Sequence, residues 1–198
     1  MTSKKQIGLF FGSFNPPHIG HMAIANYLLA FGNIDELWFV VSPQNPLKEK
    51  KSLIQGRTRL EMVRRAIGNY PGMRVSDIEF GLPTPNYTIN TLVHLEEKFP
   101  DYAFWLIMGM DNIQTFHKWK SWETILEQNK ILVYPRPGFD GNPHVKHPNV
   151  VLINAPLMEI SSSFIRKAIG DRKNMRYFLP ETIFEMIEKE GLYKKQEI

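Results

Sequence analysis

Short, nearly uninterrupted apolar runs recur along this 198-residue chain, and stretches with helical spacing separate them. Ile7–Phe11 reads as a buried strand. Glu36–Ser42 (Glu-Leu-Trp-Phe-Val-Val-Ser) and Ala103–Met108 (Ala-Phe-Trp-Leu-Ile-Met) read as strands covered on both faces. Met73–Ile78, Lys130–Tyr134 and Val150–Ile153 complete the set. Helices are predicted at Gly20–Phe31, Arg57–Tyr70, Asn86–Phe99, Ser121–Gln128, Ser161–Ile169 and Pro180–Glu190. Pro71-Gly72 and Pro100 end two of them, Gly191 follows the last, and Asn, Thr or Ser side chains stand ready as caps at Asn86, Thr88 and Ser121. Strands alternating with helices predict an α/β fold, a parallel sheet with helices on both faces. In such a sheet ligands bind beyond the carboxyl ends of the strands, near a switch in strand order. Gly12–His21, Pro43–Lys51, Gly109–Asn112 (within a turn from Met108 to Asn112) and the loop before Ser161 would all lie at that edge.

Composition limits the function classes. No cysteine is present, so disulfide frameworks and thiolate chemistry are excluded. No run approaches the roughly 20 apolar residues of a membrane span. The basic start Met1–Lys5 resembles a signal-peptide end, but Gly12, Asn15 and Pro16 break the apolar run behind it. The expectation is a soluble, cytoplasmic protein without membrane partners. A net charge of +4 fits a solvated surface or attraction for an anionic ligand. Arg57, Arg59, Arg64 and Arg65 read as a solvated helix face. No aromatic interleaving accompanies them, so no nucleic-acid partner is expected.

Gly12-Ser13-Phe14-Asn15-Pro16-Pro17-His18-Ile19-Gly20-His21 joins the first strand to the first helix. Such a turn exposes backbone N–H groups and the positive end of a helix dipole, a natural seat for phosphate. His18 and His21, three residues apart, fall on one side of the first helical turn. They could contact phosphate, or share a zinc ion if a third ligand of persuasive spacing existed, which the sequence does not offer. His144 and His147 have the same spacing in the Pro135–Pro148 loop and read as plain surface residues. Neither Gly-x-x-x-x-Gly-Lys-Ser/Thr nor Gly-x-Gly-x-x-Gly occurs, so the turn must hold phosphate in another manner. Ser161-Ser162-Ser163 would cap a helix, and the same helix end could hold a triphosphate with Arg166 as a cation one turn in. Lys48, Lys50 and Lys51 cluster in a Pro-rich loop, and Trp119 between Lys118 and Lys120 suits a partly exposed ring.

The Gly12–His21 segment resembles the signature of the His-x-Gly-His nucleotidyltransferases, and most closely that of bacterial nicotinate mononucleotide adenylyltransferases. Further matches follow in order at Asn45-Pro46-Leu47-Lys48, Tyr87–Leu92, Gly109-Met110-Asp111-Asn112, Trp119 and Ile160–Arg166. The resemblance implies a Rossmann-like nucleotidyltransferase domain over residues 1–198, with roughly 155–198 as a C-terminal helical part carrying the Ser-Ser-Ser-x-x-Arg motif. It implies transfer of AMP from ATP to nicotinate mononucleotide, with Mg²⁺ held mainly by the ATP phosphates and no metal held by the protein. His18, His21, Lys48 and Arg166 would be catalytic. Gly12, Ser13, Phe14, His18, His21, Gly109, Asp111, Ile160, Ser161, Ser162 and Arg166 would bind ATP. Ser13, Asn15, Lys48, Thr88, Trp119 and Lys120 would bind the mononucleotide, Trp119 by stacking on its ring. Homo-oligomerisation is left open. Asn15 stands where the family usually has Asp, and Ser163 where it usually has Thr. Rival readings are the amide mononucleotide or another phosphate acceptor, a metallohydrolase using the His pair, and a non-catalytic nucleotide-binding regulator.

Overall fold

The computed structural model describes residues 4–43, 53–139 and 143–194. Strands β1 (Lys5–Gly12), β2 (Glu36–Val41), β3 (Met73–Ser76), β4 (Tyr102–Gly109), β5 (Lys130–Tyr134) and β6 (Val150–Leu152) form one sheet. Every neighbouring pair is parallel, in the order β3-β2-β1-β4-β5-β6. The order reverses between β1 and β4, so the ends of those two strands open the crevice where such sheets take ligands.

The continuous apolar runs are explained by the layers. Leu9, Leu106, Met108 and Val133 bury one sheet face under α3 (Thr88–Lys98), α4 (Met110–Gln114) and α5 (Trp122–Gln128). Phe10, Phe39, Ile107 and Leu132 bury the other under α1 (Ile19–Phe31) and α2 (Gly56–Ile67). Each such side chain contributes about 1.5–3 kcal/mol by leaving water. Helices α6 (Ser162–Gly170) and α7 (Glu181–Glu190) make a third cluster of Ile165, Ile169, Ile183 and Ile187, which packs on α2 through fully buried Met62. Among the described residues no helix is long and apolar enough to cross a membrane.

Glu36 pins the sheet's outer half. Its carboxylate accepts from Lys5 Nζ (2.7 Å), Arg74 Nη2 (2.8 Å) and Trp38 Nε1 (2.9 Å), which joins β1, β2 and β3. Burial alone would raise its pKa, but these partners hold it below the usual carboxylate range.

Four local expectations are corrected. The segment after Gly109 is not a turn but the short helix α4, capped at Gly109. Neither Asn86 nor Thr88 caps α3: Tyr87 is the N-cap, with no side-chain bond, and Asn86 Nδ2 donates to the Glu79 carbonyl instead (2.9 Å). Ser121 precedes α5 in the left-handed region (φ 53°) and makes no capping bond. The end of the expected Met73–Ile78 strand is a 3-10 turn, Ile78–Gly81.

Candidate active site

Beyond Gly12 the chain must turn sharply. Phe14 takes φ 45°, and its ring folds back into the core against Phe39 (5.4 Å) and His21 (5.1 Å between centroids). A Cβ on Gly12 would lie 2.7 Å from that ring, so glycine is what the close approach requires. Asn15 and His18 are likewise buried, each 3% exposed.

His18 is the N-cap of α1. Its backbone N–H donates to Nδ1 of His21 (3.2 Å), and the two rings stack with centroids 3.6 Å apart and planes at 26°. Accepting that bond places the proton of a neutral His21 on Nε2. Burial, followed by the nearby Arg136 charge, lowers the His18 pKa to about 3, so its ring is neutral near pH 7.

Both histidines line a cavity of about 560 Å³ with Ser161, Ser162, Ser163 and Arg166. Ser161 does cap α6, accepting from the Phe164 N–H (3.2 Å). The rest of the motif fastens the first turn. Ser162 Oγ donates to the Pro16 carbonyl (2.8 Å), and Arg166 Nη1 donates to the Asn15 carbonyl (2.8 Å). Tyr193 OH donates to Asn15 Oδ1 (2.9 Å) from beyond α7. Ser13, Phe14 and Ile160 share the cavity wall.

Asp111, in the first turn of α4, lines the same cavity opposite Arg136, which the sequence did not single out. Asp111 Oδ1 and Arg136 Nε lie 3.7 Å apart, an ion pair without a hydrogen bond, and both atoms are buried without a hydrogen-bond partner. Gly109 lines neither cavity. A Cβ there would fall 2.3 Å from that carboxylate oxygen, so its bareness makes room for Asp111.

A second cavity, about 320 Å³, holds Thr88, Trp119 and Lys120, and meets the first at Gly12 and Asn112. Trp119 packs edge-on to Phe116 (5.4 Å), with its indole Nε1 buried and unpartnered. Lys120 Nζ lies over the Tyr87 ring (4.7 Å). Thr88 opens α3, whose uncapped N–H groups stand at this wall. Glu79 also lines it, 2% exposed. One oxygen accepts from Thr91 Oγ1 (2.9 Å), the other has no partner, and burial pushes the carboxyl up against the opposing effect of Ser42 and Thr91. Lys48, together with the rest of Asn45–Lys51, lies outside the described residues.

Two readings of surface residues are overturned. Arg59 is 1% exposed and bonds four backbone carbonyls, whereas Arg64 and Arg65 pair with Glu61 on the surface. His144 and His147 are half-buried: His144 packs on the Trp122 ring (5.0 Å) and His147 Nε2 meets Glu127 (3.3 Å), which moors their loop to α5. Among the described residues no three His, Asp or Glu side chains gather as a metal site.

The strand order, the phosphate-type turn and the paired cavities describe a nucleotidyltransferase, and comparison with known proteins agrees. Residues 9–168 match the family model described as cytidylyltransferase-like. A protein of Flavobacterium psychrophilum named "Probable nicotinate-nucleotide adenylyltransferase" is 48% identical over 96% of this chain and 100% of its own length. One of Bacteroides fragilis with the same name is 49% identical over 93% and 92%. The structure of Plasmodium falciparum nicotinic acid mononucleotide adenylyltransferase complexed with NaAD superposes with a TM-score of 0.81 at 25% identity, covering 96% of this chain and 97% of that one. The chain belongs to the cytidylyltransferase-like family and, within it, to the nicotinate-nucleotide adenylyltransferases.

Proposed function

We propose that the chain transfers AMP from ATP to nicotinate mononucleotide, giving nicotinate adenine dinucleotide and pyrophosphate, with the roles below. The observation that carries this reading is the meeting of two chemically different cavities at Gly12 and Asn112. One is lined by imidazole, hydroxyl and guanidinium groups and suits a triphosphate. The other offers an indole, uncapped helix N–H groups and lysines, and suits an anionic aromatic acceptor.

The acceptor's 5′-phosphate oxygen forms a bond to the α-phosphorus while the bond to the bridging oxygen of pyrophosphate breaks. The nucleophile is already an anion, so no general base is needed. The protein has to align the two phosphates and neutralise charge that builds on the α-phosphate and the leaving group. His18 and His21 at the α1 end, with Gly12, Ser13 and the Phe14 backbone, take the α-phosphate. Ser161, Ser162 and Arg166 at the α6 end take the outer phosphates, with Ile160 against the nucleoside. Asp111 Oδ1 accepts from a ribose hydroxyl, its want of a hydrogen bond being the support for that role. Trp119 stacks on the pyridine ring, and backbone N–H groups at Thr88 and Lys120 receive its carboxylate. Asn15 and Ser13 take the acceptor phosphate, and the resemblance assigns Lys48 to the same phosphate. The phosphate-end donors are imidazole, hydroxyl and guanidinium, which fits a Mg²⁺ carried by the triphosphate oxygens. When bound, that ion offsets phosphate charge. A cytoplasmic setting belongs to the same proposal.

The test is pyrophosphate release from Mg-ATP with one acceptor at a time. Nicotinate mononucleotide should support turnover far above nicotinamide mononucleotide or phosphopantetheine. Equal or greater turnover with the amide would overturn the acid preference, and none with either mononucleotide would overturn the reaction.

A further inference from the structure

Arg59 reaches from α2 to the ends of the neighbouring strands β1 and β2. Its Nη1 donates to the carbonyl of Ser13 (2.6 Å), just past β1, and to that of Ser42 (2.9 Å), just past β2. Its Nη2 donates to Pro43 O (3.0 Å) and its Nε to Ile54 O (3.1 Å). Ser13 lines the phosphate cavity and Ser42 lines the acceptor cavity. A single nitrogen atom thus ties one wall of each cavity to the other. Among the described residues no carboxylate forms an ion pair with this buried guanidinium, and the hydrogen bonds just named all go to backbone carbonyls. Burying an ion without a counter-ion is unfavourable unless its donors are satisfied. The fork of Arg meets that demand across several directions at once, which the point charge of Lys cannot.

We propose that Arg59 is a positioning residue for adenylyl transfer: it fixes the separation of the two substrate cavities, and hence the in-line approach of the acceptor phosphate to the α-phosphorus. This rests on the reaction proposed above. A shift of about 1 Å in such an approach costs on the order of a hundredfold in rate. Each substrate keeps its own contacts when the walls move apart, so the loss belongs in kcat and not in KM.

The experiment compares the parent chain with Arg59→Lys and Arg59→Met by pyrophosphate release, with thermal melting as a check on folding. Expected is a kcat for Arg59→Lys about a hundredfold below the parent, KM for ATP and for the mononucleotide each within about threefold, and a larger kcat loss for Arg59→Met. Folded variants whose kcat stays within about threefold of the parent, or whose loss lies wholly in KM, would overturn the proposal. If Arg59→Met does not fold, Arg59→Lys decides alone. Failure of the parent itself to release pyrophosphate would count against the reaction and is distinguishable from either result.

Discussion

The backbone N–H of His18 is held by the ring of His21, and the two imidazoles lie face to face with centroids 3.6 Å apart. One residue therefore orients the other, and the pair is a single element at the start of α1. His18 is the buried partner, with its pKa lowered to about 3 chiefly by desolvation. As pH falls below the ordinary histidine value of about 6.5, the unfolded chain takes up a proton that the folded ring refuses. Stability from this group is complete above that value and drains away towards about pH 3. Urea midpoints should show His18→Gln losing most against the parent at about pH 7.5, with the gap narrowing at about pH 4.5. A gap independent of pH would contradict the buried, neutral assignment.

Turnover should depend on both rings. His21→Ala removes the proposed phosphate donor and frees the His18 N–H, and His18→Ala removes the stacked partner. Each is expected to lower kcat on the order of a hundredfold, by analogy with deletion of a preorganised donor. His18→Ala should also lower the melting temperature, because its ring is buried at 3% exposure. Near-parental kcat in folded His21→Ala would remove the pair from the reaction centre.

What was legible in the sequence follows from burial. Strands covered on both faces, such as β2 and β5, leave continuous apolar runs, and all six observed strands lie within two residues of the bounds their sequences suggest. Gly12–His21 and Ser161–Arg166 stood out because turns and helix starts demand particular residue types. Contacts made only by tertiary folding did not. Arg59 sits beside Leu60, Met62 and Val63, the buried stripe of α2, and that position was the available signal for an arginine turned inward. Instead, its charged neighbours Arg57, Arg64 and Arg65 gave the helix a solvated look. Arg136 becomes findable only once the register pairs Gly109 with Tyr134, which sets residues 111 and 136 side by side. The mooring of Asn86 on Glu79 depends on a 3-10 turn that no periodicity announces.

Truncating Trp119 should separate the two substrates kinetically. Its ring lines only the smaller cavity and packs on Phe116, so truncation to Ala should leave the phosphate cavity intact. Stacking of a flat ring on an aromatic side chain is worth about 1–3 kcal/mol, roughly 5- to 150-fold in affinity. KM for the mononucleotide should rise within that range while KM for ATP changes little. Equal increases for both would refute a stacking role.

Tyr193 fastens the C-terminal end of the described chain to the phosphate turn. Its hydroxyl donates to Asn15 Oδ1 (2.9 Å), while the Asn15 carbonyl takes the Arg166 guanidinium (2.8 Å). Asn15 is thus gripped from α6 and from beyond α7, which gives the asparagine at this position a structural use for its neutral amide oxygen. Burial drives the phenol pKa up, against the opposing pull of Arg166 and Arg59, so the hydroxyl stays a donor through neutral pH. Tyr193→Phe deletes a part-buried hydrogen bond and should lower unfolding free energy by about 0.5–1.5 kcal/mol. Because that bond steadies the turn carrying His18, kcat should fall with it, and Asn15→Asp should keep the Tyr193 bond and lose less stability than Asn15→Ala. Denaturant midpoints for the three variants check the order. Tyr193→Phe with parental stability and parental kcat would show that the bond does not hold the turn.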